Sequence, residues 1–368
     1  MPIQRLLVTQ FRNLLQVDVQ PSPDINLLYG QNGSGKTSLL ESVYLLSLGR
    51  SFRSHKIKPL INESASELTV FGKSSAASIG ITRPRRGDSQ FKVNGSRIAS
   101  LAELTRSLPV LVINSDTFRL IEGGPKERRQ LLDWLVFHVE PGFFITWKNA
   151  SRCLKQRNAM LRRDRIPYAE FHPWDRELAG LSQLLADYRR CAFDQFKAVF
   201  LSLVEEFVQI ESLTVELEQG WDTTGNLLDI LEQHFDRDKK QGFTGTGFHR
   251  ADIKIKVGSH KAEEVLSRGQ QKLLVCALIL AQCMVFQQTS GKNCILLVDD
   301  LPSELDDKYQ TLMVNWINKL NCQVFVTGVD VLALSEPWGK MVDRDIKVFH
   351  VEHGEIKHEE RLALSETE

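Results

Sequence analysis

The chain has 368 residues, 42% of them hydrophobic and 25% charged, which suits a folded protein of two structural units and excludes intrinsic disorder. Its 46 Lys and Arg balance 46 Asp and Glu, so any contact with DNA or RNA has to come from local basic patches. The six cysteines form no C-x-x-C pair and no zinc-type spacing, the first residues lack a signal peptide's apolar stretch, and the longest apolar run, 273–286, is too short for a membrane span. Reduced, mostly buried thiols and a cytoplasmic protein without a membrane segment are expected.

In chain order, residues 3–11, 15–19 and 25–29 read as strands, the last an apolar run ending in a glycine-rich turn. A helix follows over 36–47. Short strands between 68 and 98, with Asn94-Gly95 as a hairpin turn, predict a small antiparallel layer, and 110–113 is a further apolar strand. From about 126 to 210 the period becomes helical, with helices over 126–138 and 145–163 and an apolar stripe at spacings of three and four over 178–207. Unbroken, that last helix spans about 50 Å. An α/β pattern then resumes, with strands at 213–217, 253–257, 294–298, 322–326 and 346–351 and helices at 225–235, 269–288 and 307–320. The predicted organisation is an α/β segment 1–120, an inserted helical lobe 121–212 and a second α/β segment 213–368.

Residues 30–37, GQNGSGKT, fit G-x-x-x-x-G-K-[ST] between a predicted strand and helix, the placement a phosphate loop requires. Gly30, Gly33 and Gly35 let successive N–H groups face an anion at a helix N-terminus. Lys36 then reaches the β and γ phosphates of a nucleotide, and the Thr37 hydroxyl ligates Mg²⁺. Such a loop alone leaves kinases, GTPases and many ATPases open. Residues 266–271, LSRGQQ, put Ser267 and Gly269 just before an apolar helix, and ILLVDD ends a strand in Asp299 and Asp300. Asp299 is placed to order Mg²⁺, and Asp300 to orient or deprotonate the attacking water. Ser303-Glu304-Leu305-Asp306 follows.

Together these segments resemble the ABC-type ATPase heads, in which the signature Ser of one subunit caps the γ-phosphate held by the loop of the other. The fold this implies is α/β, an ABC-type P-loop ATPase head of mixed sheet plus antiparallel β layer, with an inserted α-helical lobe. Lys36 and Ser267 lie 231 positions apart, a poor fit to transport ATPases, and the insertion is too short for the coiled coils of chromosome-maintenance proteins. Over essentially all of its length the chain resembles the RecF family of bacterial recombination and repair proteins. The stretches are FRNL (11–14), GQNGSGKTSLLES (30–42), GRSFR (49–53), GGPKERRQLLD (123–133), GFHRAD (247–252), LSRGQQK (266–272) and DDLPSELD (299–306).

The resemblance implies a weak ATPase that uses ATP and Mg²⁺ as a switch. It implies an ATP-driven homodimer clamp on single-stranded or gapped double-stranded DNA that helps load the RecA recombinase with RecO and RecR. It also implies that Arg12 and Asn13 adjoin the nucleotide, with Gln31, Asn32, Ser34 and Ser38 of the loop and Gln270 of the signature. There are departures. Asp300 stands where many ABC ATPases have Glu, so slow hydrolysis is expected, and Thr327 occupies the approximate place of a His that senses the γ-phosphate. No Gln-bearing loop follows the first helix; residues 114–116 are a candidate. The alternative reading, an ATPase acting on a protein partner as in transport or structural chromosome complexes, lacks its membrane segment or long coiled coil here.

The densest basic run holds Lys148, Arg152, Lys155, Arg157, Arg162, Arg163 and Arg165 against Asp164 alone, and is the candidate DNA contact. Arg50, Arg53, Lys56 and Lys58 form a second cluster, with Arg50 and Arg53 placed to serve the nucleotide lobe instead. A third comprises Arg83, Arg85, Arg86, Lys92 and Arg97. Arg128-Arg129 has the same two readings as Arg50 and Arg53. His249, without a Cys or Asp at ligand spacing, makes no metal site; its family-like block hints at a place near nucleotide or lobe interface.

Overall fold

The computed structural model describes residues 2–54, 56–163, 167–300, 306–339 and 344–361. The chain forms two compact units, one of residues 1–117 and 272–368, the other of residues 118–271.

In the first unit, β1 (Ile3–Phe11) and β2 (Leu14–Val19) join β4 (Glu67–Ser74), β5 (Ser78–Pro84), β6 (Gln90–Val93) and β7 (Ser96–Arg97) in an antiparallel sheet ordered β2-β1-β4-β5-β6-β7. The alternating burial of β1, β4 and β5 leaves one face apolar. Asn94 and Gly95 both take positive φ, 51° and 80°, the two-residue turn expected of this dipeptide. A second sheet, ordered β15-β14-β3-β13-β12-β8, holds β3 (Ile25–Tyr29), β8 (Val110–Ile113), β12 (Ile295–Val298), β13 (Gln323–Gly328) and β14 (Ile346–Glu352) in parallel. β12 and β13 are buried at every position, which is why they read as continuous apolar runs. β15 (Glu355–Arg361) closes the edge antiparallel to β14.

Helix α1 (Lys36–Leu48) carries Leu39, Leu40, Val43 and Leu46 into a core shared with Leu6, Val8 and Val70 of the antiparallel sheet and Leu28, Leu297 and Phe325 of the parallel one. It ends at Gly49, φ 61°, where an added Cβ would lie 2.8 Å from Leu101 of α2 (Leu101–Ser107). Arg83 donates to the Gly49 carbonyl and covers the Phe91 ring at 5.2 Å, so it is a buried strut of this lobe.

The second unit packs α3 (Arg119–Glu122), α4 (Pro125–Val139), α5 (Phe143–Leu161) and α6 (His172–Phe207) with α7 (Leu227–Gln233), α8 (Phe235–Gln241), α9 (Ala262–Val265) and a sheet ordered β11-β10-β9. The 36 residues of α6 span about 54 Å, and Leu178, Leu185, Phe196 and Phe200 bury the expected stripe. The sequence boundary at 212/213 differs from this division, because β9 (Leu213–Glu218), β10 (Asp252–Val257) and β11 (His260–Lys261) belong with the helices. Side chains make that bond: Arg128 holds Asp252 with two hydrogen bonds of 2.8 and 3.1 Å, and Arg129 donates to Ala251 O at 2.7 Å. Arg189 of α6 joins Asp133 of α4 to Phe248 O. The helix expected over 225–235 is two short helices meeting at His234.

Helix α10 (Arg268–Ser290) begins in the second unit and continues into the first. Among the described residues it is the one helix apolar and long enough to cross a membrane, and 72% of that stretch is buried inside the protein. α11 (Asp307–Leu320) and α12 (Val331–Ser335) complete the described helices.

Arg157 corrects the basic-run reading. Its side chain is 0% exposed, with Nε 2.6 Å from Asp175 Oδ1 and Nη1 2.9 Å from Asp238 Oδ2 and 2.8 Å from Thr244 Oγ1. It joins α5, α6 and α8 and cannot contact DNA. Burial raises the Asp175 pKa, and the Arg157 guanidinium opposes that rise. Arg157→Met should therefore leave two buried acids uncompensated and lower stability by about 3–5 kcal/mol in urea unfolding. Arg152→Ala, on the exposed face of the same helix, should shift it by less than about 0.5 kcal/mol.

Candidate nucleotide-binding site

The parallel strands β3, β8, β12 and β13 end at one edge of their sheet, and a cleft of about 420 Å³ opens there. The loop after β3 turns into α1 on three glycines of positive φ. Gly30 has φ 151°, and a Cβ there would sit 2.1 Å from Val351 O; Gly35 has φ 124°, with Leu14 Cδ2 at 2.9 Å. Gly33, φ 83°, faces open space. The loop is held from outside: Asn13 Nδ2 donates to Gly33 O at 3.0 Å and Asn13 Oδ1 accepts from Ser38 Oγ at 2.8 Å, while Gly354 N donates to Ser34 O at 2.8 Å.

Lys36 Nζ lies 2.6 Å from Gly30 O and 3.0 Å from Gln31 O. Burial lowers its pKa, and Asp300 and Asp299 oppose that shift. Thr37 Oγ1 donates to Asp299 Oδ1 at 2.9 Å, and Thr327 Oγ1 donates to the same oxygen at 2.7 Å. Asp300 N donates to Thr327 Oγ1 at 2.8 Å, and Asp300 takes φ 60°, a left-handed conformation that costs a non-glycine residue on the order of 1 kcal/mol. Burial pushes the Asp299 carboxyl up, against the two hydroxyl hydrogen bonds and Arg53. Because Thr37 spends its proton on Asp299 Oδ1, its lone pairs stay available, and Asp299 Oδ2 is outside these bonds. That pairing of hydroxyl and carboxylate oxygens fits a hard cation such as Mg²⁺.

Arg12 lines the cleft at φ 52° and is clamped to Glu41, a fully buried acid on α1 that also takes the Ser51 hydroxyl. Arg53 lines the cleft too, whereas Arg50 sits beside Tyr44. Of residues 114–116, Ser115 reaches the cleft; Asn114 is occupied by a turn to Thr117. Asn32 lines the cleft, and the buried Ser34 hydroxyl has no hydrogen-bond partner among the described residues. Sequence reasoning passed over Glu41, Ser51 and Gly354. A Glu inside an apolar helix was the available signal for the first.

In the second unit, Ser267 and Gln270 form a reciprocal cap at the start of α10, with Ser267 N donating to Gln270 Oε1 at 3.0 Å and Gln270 N to Ser267 Oγ at 3.3 Å. Ser267 and Gly269 are exposed. Residues 303–305 of the SELD segment lie outside the described residues; Asp306 precedes α11 and its carbonyl accepts from Gln310 N at 2.9 Å. His249 is drawn into its own unit, with Nε2 3.0 Å from Thr244 O, and burial pushes its pKa down to about 4. No group of three or more metal-binding side chains occurs among the described residues.

Of the candidate DNA contacts, Lys148, Arg152, Lys155 and Arg163 are exposed and make no ion pair among the described residues, and Arg162 donates to Gly242 O at 3.1 Å. The spacing 148, 152, 155 puts three cations on one face of α5, a helix without a single acid, and Arg162 follows at its C-cap. Arg165 and Asp164 lie outside the described residues. Arg128 and Arg129 are tied to Asp252 and Ala251, and Arg85 donates to Ala65 O and Asn62 O, so these are structural.

A family model described as the RecF/RecN/SMC N-terminal domain matches residues 2–357. The chain is 48% identical to the DNA replication and repair protein RecF of Cellvibrio japonicus, over 97% of this chain and 99% of that one, and 45% identical to that of Stutzerimonas stutzeri, over 97% of each. Among solved structures, the recombination mediator protein RecF-ATP in the RecFOR pathway superposes with a TM-score of 0.84 at 24% identity, covering 98% of both chains. An Smc head bound to the C-winged helix domain of ScpA gives 0.61 at 17% identity, covering 99% of this chain and 98% of that one. The fold is thus the α/β ABC-type head that the motifs implied, and the chain belongs to the RecF family of DNA replication and repair proteins.

Proposed function

We propose that the chain is an ATP-dependent DNA-binding protein of recombinational repair and replication restart, a cytoplasmic homodimer that closes on gapped or single-strand/double-strand junction DNA and helps RecO and RecR load RecA. The observation that carries the nucleotide half is the Thr37–Asp299 hydrogen bond, which brings residues 262 positions apart beside Lys36 in one cleft.

In this reading the amides of residues 30–38 and the N-terminus of α1 cradle the phosphates, and Lys36 Nζ exchanges its loop carbonyls for β and γ phosphate oxygens. Thr37 and Asp299 hold Mg²⁺, which when bound neutralises charge on those oxygens. Asp300 orients or deprotonates water; its side chain is one methylene shorter than Glu, which keeps hydrolysis slow and suited to a switch. Arg12 and Asn13 brace the loop from FRNL. The exposed Ser267 hydroxyl, whose proton the Gln270 amide leaves unused, and Gly269 at the start of α10 face the γ-phosphate of a second copy, with Gln270 holding the turn. The likeness to the recombination mediator protein RecF-ATP in the RecFOR pathway supports ATP as ligand and RecO and RecR as partners.

DNA contact falls to the acid-free face of α5, with Lys148, Arg152, Lys155, Arg162 and Arg163. Of these, Lys148, Arg152, Lys155 and Arg163 make no ion pair among the described residues, and such cations displace counterions from a phosphate backbone.

Two predictions follow from the composite site and the basic face. Lys36→Ala should abolish ATP binding, whereas Ser267→Arg should keep ATP binding in the monomer and lose the ATP-dependent dimer, read by light scattering with nucleotide titration; dimers persisting in Ser267→Arg exclude the composite site. Asp300→Asn should bind a gapped duplex in fluorescence anisotropy tightly with ATP·Mg²⁺ and weakly with ADP·Mg²⁺. Adding Lys148→Glu, Arg152→Glu and Lys155→Glu should weaken that binding and flatten its salt dependence by about 0.9 in log–log slope per lost contact. ATP binding with no DNA binding at any salt points instead to an ATPase working on a protein partner.

A further inference from the structure

Thr327, 1% exposed at the end of β13, has one proton and two lone pairs. The Asp300 amide can only donate, so its 2.8 Å bond occupies a lone pair, and the hydroxyl proton lies on Asp299 Oδ1 at 2.7 Å. A proton committed to a buried carboxylate is not offered to a phosphate oxygen. This argues against the γ-phosphate sensor that its place in the sequence suggested.

We propose that Thr327 is a positioning residue that ties the Asp299 carboxylate to the Asp300 backbone, so that the metal-side acid and the water-side acid are set as one unit. The proposal rests on the nucleotide-site reading given above. Three features carry it. β13 is paired on both sides, Val326 with Val298 of β12 and Thr327 with Leu28 of β3, so the hydroxyl has a fixed origin. Asp300 is held at φ 60° with its amide on that hydroxyl; without the bond, the residue can relax out of the left-handed region and carry its carboxylate away. Asp299 Oδ1 receives Thr37 and Thr327 together, which turns Oδ2 away from both. With one donor gone, the carboxylate can rotate and the cation loses a pre-aimed ligand.

The test compares Thr327→Val, which keeps the shape and removes both bonds, with Thr327→Ser, which keeps both. Binding of methylanthraniloyl-ATP is measured in EDTA, and Mn²⁺ affinity of the nucleotide-bound protein by electron paramagnetic resonance, with kcat and KM alongside. Thr327→Val should bind nucleotide normally in EDTA, lose about 10–100-fold in Mn²⁺ affinity, and lose kcat more than KM. Thr327→Ser should behave like the unsubstituted protein, and Thr327→Cys, a weaker donor, should fall between them. Unchanged Mn²⁺ affinity in Thr327→Val overturns the proposal, as does a Thr327→Ser variant equally impaired. Loss of nucleotide binding in EDTA by Thr327→Val alone assigns the hydroxyl to phosphate instead and also overturns it. Failure of the unsubstituted protein to bind nucleotide overturns the site reading beneath it.

Discussion

One carboxylate oxygen, Asp299 Oδ1, is the point on which the cleft closes. It accepts from a hydroxyl at the start of α1 and from another at the end of β13, while its own residue ends β12. An ionised acid can take two hydroxyl protons on one oxygen and still present an acceptor oxygen outward, whereas an Asn would turn an amide to one side. Burial pushes Asp299 toward the neutral form, and the two hydroxyls and Arg53 work against it. The donors thus offset part of the cost of burying this carboxylate.

That point is assembled from distant chain. β3, near the N-terminus, lies between β13 and β14, with Leu28 opposite both Thr327 and Phe349. The phosphate loop is braced in turn by Gly354, beyond β14. Neither contact can form until the last third of the chain has returned to the first, and such non-local pairing pays loop-closure entropy before it is rewarded. The nucleotide cleft therefore depends on non-local pairing even though its loop is a local motif.

That difference between local and non-local decides what was legible. The phosphate loop, the buried strands ending at Val298 and Gly328, and the stripe of α6 are local patterns of spacing and polarity, and they occur where spacing placed them. The boundary of the second unit was not readable at 212/213, because β9 and β10 look like a resumed α/β pattern; what binds them to the helices is Arg128 on Asp252, 124 positions away. β15 was overlooked although His353-Gly354, with φ of 48° and 79°, supplies a hairpin turn. Its residues, EIKHEER, are almost all exposed and carry no apolar alternation to announce a strand.

Arginines show the same limit in charge. Arg83, Arg128, Arg157 and Arg189 are spent on carbonyls and carboxylates inside the protein, and the first three read in the sequence as members of a basic patch or pair. A guanidinium suits that work because its fork of donors can bridge several elements at once, as Arg157 bridges α5, α6 and α8. Counting cations along the chain therefore overstates the charge available to a ligand. On α5, Arg157 points inward and Lys148, Arg152 and Lys155 share one outward face, so the buried arginine holds the helix in place while its neighbours face outward. In a chain of zero net charge, attraction to a phosphate backbone has to be built by such sorting: acids are kept off one helix face, and the cation that would have been wasted inward is used to anchor it.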